Sequence, residues 1–203
     1  MVVAVLLAAA LGAYGVWSWW YRPTPVEATA DYRWHFDAVQ DMVATSDLVV
    51  LGEVTGEARG AVLDQRDVVL TTRLLRVKVE RRLFGTAALD EITVEDRGWK
   101  RIRGREDPWR VRGMLRLEVG DRAVLFLSEE PPSGRFGFLN DQAVYRLDGT
   151  DLADTDRTDP LVRQVEAMTV PELERLVEKA AAGVRQGTLR PVPEGGRRPT
   201  HRT

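Results

Sequence analysis

The chain has 203 residues, no cysteine and two histidines, and its 29 Lys and Arg nearly balance 31 Asp and Glu for a formal net charge of −2. Without cysteine it can form no disulfide, thiolate-held zinc, iron–sulfur cluster or thiol nucleophile, and two histidines leave little for a triad or a histidine metal site. An apolar fraction of 44% suits one modest domain with appendages and excludes wholesale disorder.

Residues 2–20 carry no charge and end in Trp17, Trp19, Trp20, Tyr21 and Arg22. About 20 apolar residues span a hydrocarbon core, and Trp and Tyr gather at its boundary. Residues 1–22 are therefore expected to be a transmembrane anchor or signal segment. Cleavage at Ala28-Thr29-Ala30 is the rival, but the run is longer than a signal-peptide core and no basic segment precedes it. An uncleaved single-pass anchor is the reading adopted, with the C-terminal domain expected to be extracytoplasmic. Arg22 after the segment points the other way under the positive-inside rule, and Glu27 and Asp31 dilute it, so the orientation stays open.

Residues 23–34, with Pro23 and Pro25, form a linker. His35 to Ala44 places Phe36, Val39, Gln40 and Val43 at helical spacing. Ser46-Asp47 then leads into the apolar run Leu48 to Val54, a buried strand. Gly56 to Asp67 reads as a polar loop. Val68 to Gly85 is the most regular stretch: Leu75, Val77, Val79 and Arg81 face one way, and Leu74, Arg76, Lys78, Glu80 and Arg82 the other. A period of two marks a half-buried strand, and its length suits a small barrel.

Glu91 to Glu95 is a strand with Ile92 and Val94 on one face, Arg97 to Gly113 a charged excursion, and Ala123 to Leu127 a buried strand. Pro131 to Gly137 reads as a loop and Ala143 to Leu147 as a last short strand. Leu161, Val162, Val165 and Met168 then share a helical face. Thr169-Val-Pro-Glu172 is a capping box opening a second helix with Leu173, Leu176, Val177 and Ala180 as its apolar stripe and Gly183 as its end. The domain is bounded at 35–185, and 186–203 is expected to be a disordered tail.

A helix running into Ser46-Asp-Leu-Val-Val-Leu-Gly-Glu-Val54, a long strand closing on Leu83-Phe84-Gly85, Leu115-x-Leu-x-Val-Gly-Asp121 leading into Val124 to Leu127, and late helices follow one another here. This series resembles the netrin-like module of tissue inhibitors of metalloproteinases and of exported bacterial proteins of unknown function. The resemblance covers about 36–182 as a pattern of strands. It implies a mainly β fold, a five-stranded OB-like barrel with flanking helices. Those inhibitors place an N-terminal cysteine on a metal and are held by disulfides. This chain has neither, so the inhibitory mechanism does not carry over.

The chemistry-bearing stretch is RGWKRIRGREDPWRVRG, residues 97–113. Trp99, Arg101, Arg103, Arg105, Trp109, Arg110 and Arg112 combine cations for phosphates with aromatic planes for bases, the requirement for a polyanion site. The same cations suit anionic lipid headgroups if the domain sits at a cytoplasmic leaflet. Against both stands a solvated loop whose arginines pair with Glu106 and Asp107. Asp148, Asp151, Asp154, Asp156 and Asp159 crowd a short segment, but the sixth position of an EF-type loop starting at Asp154 is Asp159 rather than glycine, so turn formation and helix capping are expected instead of calcium binding. No hydrolase, phosphate-loop or dinucleotide motif is present. The expectation is a membrane-anchored, non-enzymatic binding module with no cofactor or metal, bound to the membrane by its N-terminal helix, open to a protein partner and not to nucleic acid. The alternative is a membrane-proximal polyanion or anionic-lipid binder using 97–112.

Overall fold

A computed structural model of the chain describes residues 34–65, 68–86, 89–110, 114–153 and 158–193. Two apolar runs explain the architecture. In β1 (Leu48–Gln65) and β5 (Arg122–Glu130), consecutive residues Leu48 to Leu51 and Ala123 to Leu127 are all buried. A strand covered on one face alternates; one covered on both is apolar throughout. Leu48, Val50, Leu125 and Leu127 point into one hydrophobic cluster, while Val49, Leu51, Val124 and Phe126 point into a second.

The first cluster fills a closed ring. β1 pairs with β2 (Val68–Phe84), β2 with β3 (Glu91–Ile102), β3 with β6 (Arg135–Phe138), β6 with β5, and β5 returns to β1. The β3–β6 pairing, Val94 against Phe136, is parallel, and the other ring pairings are antiparallel. Leu75 and Val77 of β2 are buried and Val79 is half-buried, while Lys78 and Glu80 are exposed, as the alternation requires. Each fully buried Val or Leu contributes about 1.5–3 kcal/mol over its exposed state, so the ring interior is held mainly by these rows.

The second cluster lies outside the ring under three helices. These are α1 (Val39–Thr45), α2 (Pro160–Glu166) and α3 (Val170–Arg185). Phe36, Val39, Met42 and Val43 meet Leu161, Val165, Leu173 and Val177 over the outer faces of β1 and β5. β7 (Val144–Asp148) and β8 (Asp151–Ala153) extend the sheet beyond β5. Asp159 caps α2 by accepting from the N–H groups of Leu161 and Val162 at 2.7 and 3.1 Å. Glu172 accepts from the N–H of Thr169 at 2.8 Å, the reciprocal arm of the expected capping box.

Several expectations are corrected. The expected loop at 56–67 is strand to Gln65, because β2 offers it a continuous hydrogen-bonding edge that its glycines and charges do not prevent. Arg135–Phe138, overlapping the expected loop at 131–137, is the strand that closes the ring, too short to show a period. The last helix passes Gly183 and stops at Arg185, with Gly187 at φ +71 taking the left-handed turn. Residues 186–193 of the expected disordered tail pack back: Leu189 and Val192 rest on the helical cluster, and the Trp34 indole N–H donates to the Val192 carbonyl at 3.1 Å. Among the described residues no helix is long and apolar enough to cross a membrane; the anchor expected at 2–20 and most of the linker lie outside them.

Candidate functional site

Val54 is the last β1 residue bonded to the segment before β5, through the Asp121 carbonyl and the Gly120 N–H. From there residues 55–65 continue with β2 as their strand partner, flanked by β3 and then by β4 (Arg105–Pro108). At about 3.3 Å per residue this arm extends roughly 35 Å past the ring. It carries the basic stretch, which is a β-hairpin rather than the loop expected of a charged excursion. Ile102 and Arg105 pair across a two-residue turn in which Arg103 (φ 50) and Gly104 (φ 81) both take left-handed backbone.

Directly opposed residues of an antiparallel pair share a face. Trp99 opposes Thr71 and Pro108, and Arg101 opposes Val69 and Glu106, so both side chains belong to the inner face that also holds buried Arg73. Lys100, opposite Leu70 and Asp107, belongs to the outer face with Ile102 and Arg105. Trp109 follows β4, its backbone N–H donating to the Gly98 carbonyl at 3.0 Å, and Arg110 is exposed. Arg112 lies outside the described residues.

The two tryptophans do not present free planes. Arg59 of β1 stacks over Trp99 at 4.5 Å from the ring centre and Arg116 approaches it at 5.8 Å, while Arg97 lies over Trp109 at 5.5 Å. Arg59 then continues across the sheet to Glu106 on β4, with two hydrogen bonds of 3.1 and 2.6 Å. The hydrogen bond from Arg59 holds the Glu106 carboxyl below the usual carboxylate range, and Glu106 in turn raises Arg59. Bridging β1 to β4 requires the four strands to curl, and the latch crosses Trp99.

Beneath it lies a buried charge network. Arg73, with 0% exposure, donates to Asp96 Oδ2 from Nε and Nη2 at 3.0 and 2.7 Å and to the Leu117 carbonyl at 2.7 Å. Glu57 lies between Arg73 and Arg116, at 3.8 and 3.4 Å. Burial, and then the neighbouring Arg73 charge, lower the pKa of Arg116. These cations are spent on the fold. Of the expected site residues, Arg105 pairs with Asp107 at 3.1 Å, as the solvated reading anticipates, but Glu106 takes its partner from β1 instead. Arg101, Arg103 and Arg110, by contrast, are exposed and have no ion-pair partner within 4.0 Å among the described residues.

A cleft of about 730 Å³ opens between Trp34, β3, β5 and β6, lined by Asp47, Glu95, Arg97, Met114, Glu129 and Phe138 among others. Of its carboxylates, Asp47 accepts from the Glu129 N–H, Glu95 from the Thr72 hydroxyl and Arg135, and Asp96 from Arg73. Ser128 lines it without an imidazole among the described residues, where His35 sits 3.9 Å from Asp159 on the helical side. Asp148 and Asp151 flank the β7–β8 turn and Asp159 caps α2; Asp154 and Asp156 lie outside the described residues.

Sequence reasoning missed Arg73, Glu57, Arg59, Val62 and Leu63. Arg73 was findable, because it has the parity of Leu75 and Val77. Nothing local in β1 marks the others; the side-chain partners of Arg59 and Glu57 include Glu106 and Arg116, 47 and 59 residues away. No family model, curated protein or solved structure matches the chain.

Proposed function

We propose that the chain is a membrane-tethered, non-enzymatic interaction module on an OB-type barrel of the netrin-like kind, held outside the cytoplasm, and that it meets its partner through the arm. The ring order β1-β2-β3-β6-β5 with one parallel pair supports the OB-type assignment, since it is the order of a five-stranded Greek-key barrel. The helical cluster over β1 and β5 agrees with the flanking helices of the netrin-like pattern. The tether rests on the apolar run 2–20.

One observation carries the assignment of the arm. Its end displays Val62 at 63% and Leu63 at 51% exposure, with exposed Arg103 on the hairpin turn of the same arm, and none of these residues belongs to either hydrophobic cluster. Large exposed aliphatics, and in Arg103 a cation without an ion-pair partner among the described residues, lie outside the packed interior of the ring, so a surface contact is their use.

The test is site-specific photo-crosslinking of the full chain in its host. A photoreactive side chain at Leu63 or Arg103 should form adducts, and one at Glu178 on the exposed face of α3 should not. Adducts from Glu178 alone, or from all three positions equally, would overturn the arm as the binding element. A topology reporter after Thr203 tests the placement outside the cytoplasm.

A further inference from the structure

The distal end of the arm is built from cross-strand rows that the pairing register fixes. Leu63, Leu70, Lys100 and Asp107 form one row, and Val68, Ile102 and Arg105 stand in the next row on the same outer face. Leu63 is exposed; Val68, Leu70 and Ile102 are half-buried; none of the four packs into either hydrophobic cluster. An aliphatic strip thus lies on the outer face with Lys100, Arg103 and Arg105 at its rim. Asp107 is the carboxylate in these rows, and it is shared with Arg105 at 3.1 Å.

The turn adds an independent observation. Arg103 sits at φ 50, a left-handed backbone that favours Gly, Asn or Asp and costs an arginine. Gly104 follows it, so an asparagine in place of Arg103 would make the cheaper hairpin turn. The arginine stands against local preference and has no ion-pair partner among the described residues, which fits a residue whose partner is outside the chain.

From this we infer that the outer face of the arm's distal end docks on an anionic lipid bilayer, with Leu63, Val68, Leu70 and Ile102 against the interface and Lys100, Arg103 and Arg105 on headgroup phosphates. The inference rests on the arm being the binding element and names its partner. Positive charge around the strip supplies the complementarity to any bilayer face that carries anionic headgroups, so docking does not depend on the domain lying outside the cytoplasm. Aliphatic side chains suit acyl chains but cannot stack on bases, and the nearby aromatic planes, Trp99 and Trp109, are covered by Arg59, Arg116 and Arg97. Both features favour a bilayer over a nucleic acid.

Because the chain has no cysteine, Leu63→Cys gives one labelling site in the full chain. The labelled protein, carrying an environment-sensitive fluorophore, is reconstituted in vesicles of phosphatidylcholine with or without phosphatidylglycerol. The expected result is a blue shift, with quenching by lipid-borne quenchers, in anionic vesicles only; a Glu178→Cys label stays in water in both. Basic residues near an anionic surface contribute about fivefold each, so Lys100→Gln, Arg103→Asn and Arg105→Gln together should lower the docked-to-free ratio about 100-fold. Arg103→Asn alone should weaken docking while leaving the melting temperature unchanged or higher, which a merely structural arginine would not do. A Leu63 label that stays in water in anionic vesicles, or responds equally in neutral ones, overturns the inference. So does a label that responds instead to added oligonucleotide. If the label stays in water while Leu63 and Arg103 crosslink to a protein in the host, the lipid partner falls and the binding arm stands.

Discussion

Arg73 and Asp96 face each other across β2 and β3, with Nη2 2.7 Å from Oδ2 and the guanidinium without exposure to solvent. An arginine this deep is costly unless its nitrogens find acceptors, and here Asp96 takes Nε and Nη2 and the Leu117 carbonyl takes Nη1, with Glu57 as a further counter-charge at 3.8 Å. The pair stands where the ring ends and the arm begins, so it ties the arm's inner face to the segment Leu115–Leu117 that plugs the ring. Its geometry sets the base of the proposed binding element.

Breaking that pair should therefore be expensive. Asp96→Ala is expected to cost about 3–5 kcal/mol, because it leaves a buried guanidinium without its main counter-ion. Arg73→Met is expected to cost a similar amount, and the double variant much less than the sum of the two. Urea denaturation of all three variants measures this. Additive losses would mean that the two side chains contribute independently.

Gly98 sets the facing of the distal half of β3. Thr71 opposes Trp99 and Thr72 opposes Arg97, so Gly98 is the extra residue of a bulge, and the bulge brings Trp99 onto the inner face. A Cβ at Gly98 would lie 2.6 Å from the Thr71 carbonyl oxygen and 2.8–2.9 Å from the Thr72 carbonyl group. Backbone must move to admit it. Gly98→Ala is expected to cost about 1–3 kcal/mol, and to shift the amide resonances of 99–108 more than those of the helices. An NMR spectrum perturbed only next to Gly98 would show that the bulge tolerates a side chain.

How far the fold could be read in advance depended on how local its cause was. Val77 and Val79 inside, Lys78 and Glu80 outside, follow from period alone, because one face of β2 meets the ring interior. Leu48 to Leu51 and Ala123 to Leu127 were legible as buried because both faces are covered. β6 was not, since four residues containing a glycine have no usable period, and of its two partners β5 is adjacent in sequence while β3, whose pairing closes the ring, lies about 40 residues back. The same holds for the candidate site. The arginines of 97–112 were visible, but which are consumed was not. Arg97 is committed to Trp109, Arg105 to Asp107, and Arg101 stands opposite Glu106, whereas Arg103 is left over on the turn, and that sorting is made by strand register.

The start of α3 should give a pH-dependent contribution to stability. Hydrogen bonds from the Thr169 N–H and hydroxyl hold the Glu172 carboxyl below the ordinary glutamate range. A carboxyl whose pKa falls on folding stabilises the native state above its unfolded pKa, and that contribution is lost as pH drops through the folded pKa. Glu172→Gln should thus lower the melting temperature at pH 7, and the gap from the parent should close on acidification below the ordinary glutamate range. A gap independent of pH would mean that the ionised form is not what caps the helix.

The last prediction separates a structural tryptophan from a binding one. Trp99 lies on the arm's inner face, half-buried, with Arg59 and Arg116 over its ring and the Arg59–Glu106 hydrogen bonds crossing it. A base could reach that ring only by displacing Arg59 from both Trp99 and Glu106. Were it a stacking platform, each stacked base would contribute about 1–3 kcal/mol and Trp99→Ala would abolish binding. The geometry instead makes the indole the floor on which the latch rests. Full-length protein in neutral vesicles is accordingly expected to show no saturable binding of a fluorescent oligonucleotide at physiological salt, with or without Trp99→Ala. Trp99→Ala should lower the melting temperature, and Glu106→Gln, which removes the charge that holds Arg59 in place, should shift the Trp99 indole N–H resonance. A saturable, salt-dependent oligonucleotide isotherm that disappears in Trp99→Ala would show that Arg59 yields the ring to a ligand, and would make the inner face, not the outer one, the working surface of the arm.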